Sequence, residues 1–384
     1  MPPDLRAVRA QLPCIDSGVF LNTGAVGPLP LVAADALARW AASAPRRERG
    51  SLEGFRAVEA EARALRADVA RVVGGDPARI ALTGNTTMGV NLAVWGIDWR
   101  PGDEIVTAAD EHPGLAVPLA VVARRAGARV RVLGAEETAG DLEAAVARVA
   151  GPRTRLVALS HVSWATGAVL DVAGAARAAR AVGALVVVDG AQSVGAIPVD
   201  PDGSGADAYA FPAHKWLLGP EGLGALWVSR EAAGRIDMTV AGLESGTGHA
   251  PDGTMAPHPS ARRYEHSTLP AALLPAWRAS LGWLEELGRP WIHARVREAQ
   301  GAARAALAAI PGVAVLTPPG PQAGLVTFTV AGRTPEEASR ALGERGVTVR
   351  PLPWPAALRA SLGFFTDEAD IARLAAAVEA VSSC

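Results

Sequence analysis

The stretch FPAHKWLLGPEGLG, residues 211–224, holds Lys215, the one lysine in a chain of 384 residues. Lys+Arg total 37, and the remaining 36 are arginine. Drift toward arginine could leave a chance lysine on a solvated face, but it does not account for a place between His214 and an apolar Trp-Leu-Leu run. An amine, unlike a guanidinium, can lose its proton near neutral pH when desolvated and then attack a carbonyl. Lys215 is therefore a candidate for Schiff-base chemistry. Three further stretches set polar residues directly after apolar runs. ALVVVDGAQS puts Asp189 at the end of such a run with Gln192 three residues on, and a carboxylate there needs a cation or a capping role. RIALTGNTTMGVN passes through Gly84, Asn85, Thr86 and Thr87 into helical sequence, so its N–H groups and hydroxyls suit a phosphate or serve as a plain helix cap. DEHPG carries His112, which either stacks on an aromatic cofactor or satisfies a loop carbonyl.

Together these residues supply a reactive amine, a phosphate cradle and an acid for a ring nitrogen, which are the requirements of pyridoxal 5'-phosphate. The order of the motifs resembles the class V aminotransferase group of fold-type I pyridoxal-phosphate enzymes, over nearly the whole chain. The resemblance implies that Lys215 carries the cofactor covalently and that Asp189 pairs with the pyridinium nitrogen. It also implies that Gln192 contacts the ring hydroxyl and that His112 stacks on the ring. Thr86, Thr87 and His214 would hold the phosphate, with Thr268 of RRYEHSTLP reaching across a homodimer interface. Arg359 of ALRASLGFF would bind the substrate carboxylate as a bidentate fork. Asn22 and Ala25 of FLNTGAVGPLP, with Trp164, would line the substrate side. Two departures stand out: Pro212 replaces a hydroxyl two residues before the histidine, which removes one phosphate contact, and SHVSWATG offers Trp164 and Ala165 where many members carry asparagine.

The stretches NLAVWGIDWRPGDEI, DEHPG, FPAHKW, GPQAGLVTFTV and LRASLGFFTDEADI resemble the cysteine/cystine C–S lyases of this group. Isopenicillin-N-epimerase-like proteins share part of them. Cysteine desulfurases of the group use a cysteine shortly before the carboxylate-binding arginine, and RGVTVRPLPWPAALR has none. The implied reaction is β-elimination from cysteine, cystine or an S-conjugated cysteine, with Lys215 as the base at Cα. A thiolate leaves without strong acid help because a thiol has a reference pKa of ~8.5. The alternatives on the same cofactor are transamination, epimerisation or another reaction on an S-conjugated cysteine in a natural-product pathway.

The elements that must position these residues read as α/β. The runs RIALTG, DEIVTA, RVRVLG, TRLVALS, ALVVVDG, DAYAF and LGALWVS alternate with helical candidates at 55–74, 114–126, 136–150 and 172–182, and a further helix is expected at 270–287. Such alternation predicts a mostly parallel sheet covered on both faces. Residues 21–288 form the expected large cofactor-binding domain, and 1–20 an N-terminal segment packing with the small domain. That small α+β domain is expected over 289–384, with strands in VAVLTP, GLVTFTVA, VTVRPLP and RASLGFF, a helix at 334–345 and a last helix at 367–381 capped by Thr366. The Gly/Pro/His-rich stretch 245–260 reads as a loop, either over the site or a simple connector.

A net charge of −2 supplies no basic field, which argues against nucleic acid or an anionic membrane surface as partner. The N-terminus lacks a signal-like apolar core and no run approaches a membrane span, so the expected location is cytoplasmic. Cys14 and Cys384 lie near opposite ends without metal-ligand spacing, and no metal is expected. The expected partner is a small amino-acid substrate.

Overall fold

The computed structural model describes residues 2–320 and 322–382, so Cys384 lies outside the described residues. Its large sheet has seven strands in the order Ile80–Thr83, Gly224–Val228, Ala208–Pro212, Leu185–Asp189, Thr154–Ser160, Glu104–Ala108 and Arg129–Leu133. All pairings are parallel except those of Gly224–Val228, which runs antiparallel to both neighbours. Side chains alternate between two apolar layers. Val186, Val188, Tyr209 and Phe211 enter one, and Leu185, Val187, Ala208 and Ala210 the other. Helices Leu52–Val72, Val172–Ala181 and Leu273–Leu287 cover the first face, and Thr86–Trp95 and Pro113–Ala126 the second. Burial on both faces explains the unbroken apolar run of ALVVVDG.

Because the parallel strands share a direction, their carboxyl ends gather the segments that start at Gly84, Ala109, His161, Gly190 and Ala213, where ligands of such sheets bind. The chain returns from Pro212 to Gly224 without a crossover helix, and the connection 213–223 carries Lys215. The second sheet is antiparallel, in the order Val313–Val315, Leu325–Val330, Ala356–Ser361 and Arg350–Pro353. Helices Arg289–Ala308, Pro335–Gly343 and Glu368–Ser382 pack on it. Val19–Phe20 pairs in parallel with Val347–Thr348, and Asn22 bridges to Ser361, so the N-terminal segment runs along this smaller sheet.

The structure departs from the sequence expectations in three places. The expected helix 136–150 is two helices, Ala135–Ala139 and Leu142–Val149, because Asp141 accepts the Ala144 N–H and restarts the helix after Gly140. The last helix is capped by Asp367, not Thr366. Asp367 Oδ1 accepts the Asp370 N–H at 2.9 Å, and Asp370 Oδ2 in turn accepts the Asp367 N–H at 3.3 Å. A carboxylate adds favourable charge at the positive helix end, which a hydroxyl cannot. Stretch 245–260 contains a short antiparallel pairing of Gly246–Thr247 with Ala256–Pro257, anchored where the Ser245 hydroxyl donates to Glu265 O. Among the described residues no helix is long and apolar enough to cross a membrane.

Candidate active site

The connection that presents Lys215 is tightly wound. Gly219 N–H donates to Ala213 O at 2.8 Å, and the Ser280 hydroxyl lies within 3.0 Å of the carbonyls of both Leu217 and Leu218. Leu218 is buried at a left-handed φ of 51°, a conformation that costs a residue with Cβ about 1–2 kcal/mol and persists where the surroundings enforce it. The 22–27 segment lies against this loop: Gly27 N–H donates to His214 O at 2.7 Å, and a Cβ on Gly27 would overlap Lys215 O. Burial pushes the Lys215 amine down to about 8; Asp189 opposes this, while Arg359 and Arg350 reinforce it. The amine therefore stays mostly protonated at neutral pH but has a far larger neutral fraction than an ordinary lysine.

Asp189 ends its strand 5% exposed, with Oδ1 accepting the Ala191 N–H at 2.8 Å. Burial raises its pKa, opposed by Lys215 and by that N–H. Three residues on, the Gln192 amide ties two segments together. Its Nε2–H donates to Gly24 O at 2.8 Å and its Oε1 accepts the Trp216 Nε1–H at 2.9 Å. A ring-hydroxyl contact would use its remaining N–H.

His112 is the N-cap of Pro113–Ala126, accepting the Gly114 N–H at Nδ1 at 2.9 Å, which leaves the ring proton on Nε2. Burial pushes His112 down to about 4, with Lys215, Arg359 and Arg350 adding to it. The result is a neutral ring, met edge-on by Trp164 at 5.0 Å and 89°.

Glu111 is a site residue that the sequence reading missed, although it stands beside His112 in DEHPG. Its carboxyl reaches Ser160, accepting the backbone N–H at 2.8 Å and bonding the hydroxyl at 2.5 Å, and Ser160 is the register partner of Asp189. Burial pushes Glu111 up to about 8, against the Ser160 bonds and with Asp189 and Asp110 adding to it. A carboxyl kept neutral in the fold loses its proton first in the unfolded chain, so stability falls by ~1.4 kcal/mol per pH unit between the two pKa values. Glutamine can accept the same N–H and donate to the same hydroxyl without that loss. Glu111→Gln is therefore expected to match the wild type in melting temperature near the unfolded glutamate pKa of ~4.3 and to exceed it increasingly up to about pH 8. Thermal melts across that range that run parallel would show a carboxyl ionised in the fold.

Arg359 is 1% exposed and forms no ion pair among the described residues. Its Nη1–H donates to Trp164 O at 2.8 Å, and its Nε is buried without a partner. Burial pushes the guanidinium down to about 9, with Arg350 adding to it. A buried cation without a counter-charge is costly, and this one lies among other unmet groups. The Nε1 of Trp164, the Oδ1 of Asn22 and the Oγ of Ser361 are also buried without partners. Arg350 was not anticipated. It is the cross-strand partner of Arg359, a relation that only the antiparallel register reveals.

At the other end of the site, Asn85 caps Thr86–Trp95 by accepting the Met88 N–H, which leaves the first N–H groups of the helix, those of Thr86 and Thr87, for a ligand. His214 Nδ1 is buried without a partner. Thr268 stands elsewhere in the protomer, in a groove of about 1330 Å³ with Arg39, Trp40 and Phe55; none of Lys215, Asp189 or His112 lines it. The residues present fit pyridoxal phosphate. Thr86, Thr87 and His214 would hold its phosphate, His112 would lie on its ring, Asp189 would face its nitrogen and Lys215 its aldehyde. Ala25, whose N–H donates to Asn22 O at 2.9 Å, lies with Asn22 in the segment that covers this loop.

A profile described as aminotransferase class-V matches residues 33–374. The chain belongs to the class-V aminotransferase family. It is 34% identical over 397 residues to an isopenicillin N epimerase of Streptomyces clavuligerus, covering 99% of this chain and 98% of that protein. It is likewise 34% identical over 319 residues to a probable cysteine desulfurase of Pseudomonas aeruginosa, covering 79% of this chain and 78% of that one. Among solved structures it is similar to C-DES. A lysine-to-alanine variant of C-DES with glycine covalently linked to the PLP cofactor superposes with TM-score 0.92 at 31% identity, over 98% of this chain and 99% of that one. The complex of the cystine C–S lyase C-DES with its product cysteine persulfide gives TM-score 0.91 at 31% identity, over 96% and 99%. This class-V aminotransferase family member has the fold-type I architecture and is a pyridoxal-phosphate-dependent enzyme.

Proposed function

We propose that this enzyme breaks the Cβ–S bond of a cysteine-derived amino acid that carries a second carboxylate, such as cystine, and releases a thiol or persulfide with pyruvate and ammonia. The observation that carries the reading is the pair of exposed Arg350 and buried Arg359, cross-strand partners of which neither has a carboxylate partner among the described residues. Two guanidinium groups match two carboxylates. The likeness to C-DES, described as a cystine C–S lyase, supports the same chemistry.

Bound pyridoxal phosphate supplies the electron sink for the charge that develops at Cα. Lys215 Nζ takes the Cα proton, the electron pair left on Cα forms the Cα–Cβ double bond, and the Cβ–S bond breaks with its pair on sulfur. Asp189 keeps the ring nitrogen protonated, and His112, being neutral, holds the ring without adding charge. Arg359 fixes the α-carboxylate and Arg350 the distal one. The 2-aminoacrylate released takes up water to give pyruvate and ammonia. Sulfur leaves with the product, because Cys14, the one cysteine among the described residues, is exposed in the N-terminal Pro13–Ser17 turn and the 345–359 stretch has none.

The test is an assay of cystine, cysteine and S-methylcysteine for pyruvate and for thiol or persulfide. Arg359→Lys keeps the charge but not the fork, so it should raise KM at least about tenfold for every substrate and leave the cofactor spectrum intact. Arg350→Ala should raise KM for cystine and spare S-methylcysteine. Nitrogen exchange between an amino donor and a keto acid, or exchange of the Cα hydrogen without pyruvate, would replace this reading with transamination or with the epimerisation suggested by the Streptomyces relative. A homodimer is part of the proposal: the groove containing Thr268 is lined by exposed Phe55 and Leu243, and a monomeric mass in solution would remove Thr268 from the site.

A further inference from the structure

Behind the Asp189 turn, on the face of the sheet opposite the carboxylate, lies a buried polar chain. Tyr209 is 1% exposed and is the register partner of Val188, so its ring and the Asp189 carboxylate leave the sheet on different sides. The ring presses so closely on the turn that a Cβ on Gly190 would overlap it, and only glycine allows this approach. The Tyr209 oxygen lies 2.6 Å from His161 Nδ1 and 2.5 Å from Ser193 Oγ, and Ser193 Oγ lies 3.2 Å from Gly190 O. One direction uses every donor: His161 Nδ1–H to Tyr209, the Tyr209 hydroxyl to Ser193, and the Ser193 hydroxyl to Gly190 O. His161 also holds the turn through its backbone, its N–H donating to Asp189 O at 3.0 Å. Burial pushes His161 down to about 4, against Asp171, and it pushes the Tyr209 hydroxyl up, so the chain stays uncharged.

We propose that Tyr209 is a positioning residue: with Ser193 and His161 it clamps the turn from behind and fixes where the Asp189 carboxylate points. A carboxylate on an unclamped turn can rotate away from the ring nitrogen, and hydrogen bonds to a nitrogen are lost steeply with misalignment. The inference rests on the reading that Asp189 faces the cofactor nitrogen.

The experiment compares Tyr209→Phe, Ser193→Ala and Asp189→Asn with the wild-type holoenzyme. It measures pyridoxal phosphate affinity, the nitrogen NMR shift of ring-labelled cofactor, kcat and KM, with the melting temperature of each apo form as a control for folding. Tyr209→Phe keeps the ring and removes one oxygen. It is expected to weaken cofactor binding about tenfold and to move the ring-nitrogen shift part of the way toward that of Asp189→Asn, lowering kcat with KM unchanged. Ser193→Ala should move all three readouts in the same direction, and it carries the test alone if Tyr209→Phe does not fold. An unchanged nitrogen shift in both variants, with Asp189→Asn shifted, overturns the role of Tyr209. An unchanged shift in Asp189→Asn overturns the reading on which it rests.

Discussion

Lys215→Ala is expected to lower turnover on any substrate by at least about a thousandfold, the range lost when a positioned base is removed. In the wild type, borohydride reduction followed by peptide mass analysis should place one pyridoxyl group at Lys215, and in the variant no side chain should take it up. The chain has no other lysine, and this amine is desolvated, with its pKa pushed down to about 8. The same value sets a pH dependence. Covalent capture of added cofactor by the apoenzyme should speed up as pH rises toward about 8, where the amine becomes neutral, and level off above it. A label found only at the N-terminus, or turnover that survives the substitution, would remove Lys215 from the chemistry.

Asp189→Asn is expected to retain cofactor and to lower kcat by about a hundredfold or more, because an amide in the same place cannot hold a proton on the ring nitrogen by its charge. Burial alone would favour the neutral acid, and the Lys215 charge with the Ala191 N–H is what favours the carboxylate. A cationic ring nitrogen would add a second counter-charge in the same direction. Steady-state rates with saturating substrate measure the effect, and activity within about twofold of the wild type would show that the pairing is wrong.

The sequence by itself determined the order of the elements and which residue types stand where the site's chemistry is proposed. Lys215 is legible because it is unique, and Asp189 because it ends a short, Val-rich apolar run that reads as a strand buried on both faces. The seven runs read as strands are the seven strands of the large sheet, since length and β-branched content are local properties. What the tertiary structure decided is relational. That Arg350 faces Arg359 depends on an antiparallel register, and a register shift of one residue would turn either side chain to the other face. That Glu111 is held neutral depends on burial, which outweighs its bonds to Ser160, 49 residues away, and on the charges of Asp189 and Asp110 beside it. That Thr366 yields the cap to Asp367 depends on Asp370, which is itself paired with Arg9 across the chain. In each case the residue type was visible, but its charge, partner or direction was set by desolvation and by groups distant in sequence, which only the packed fold brings together.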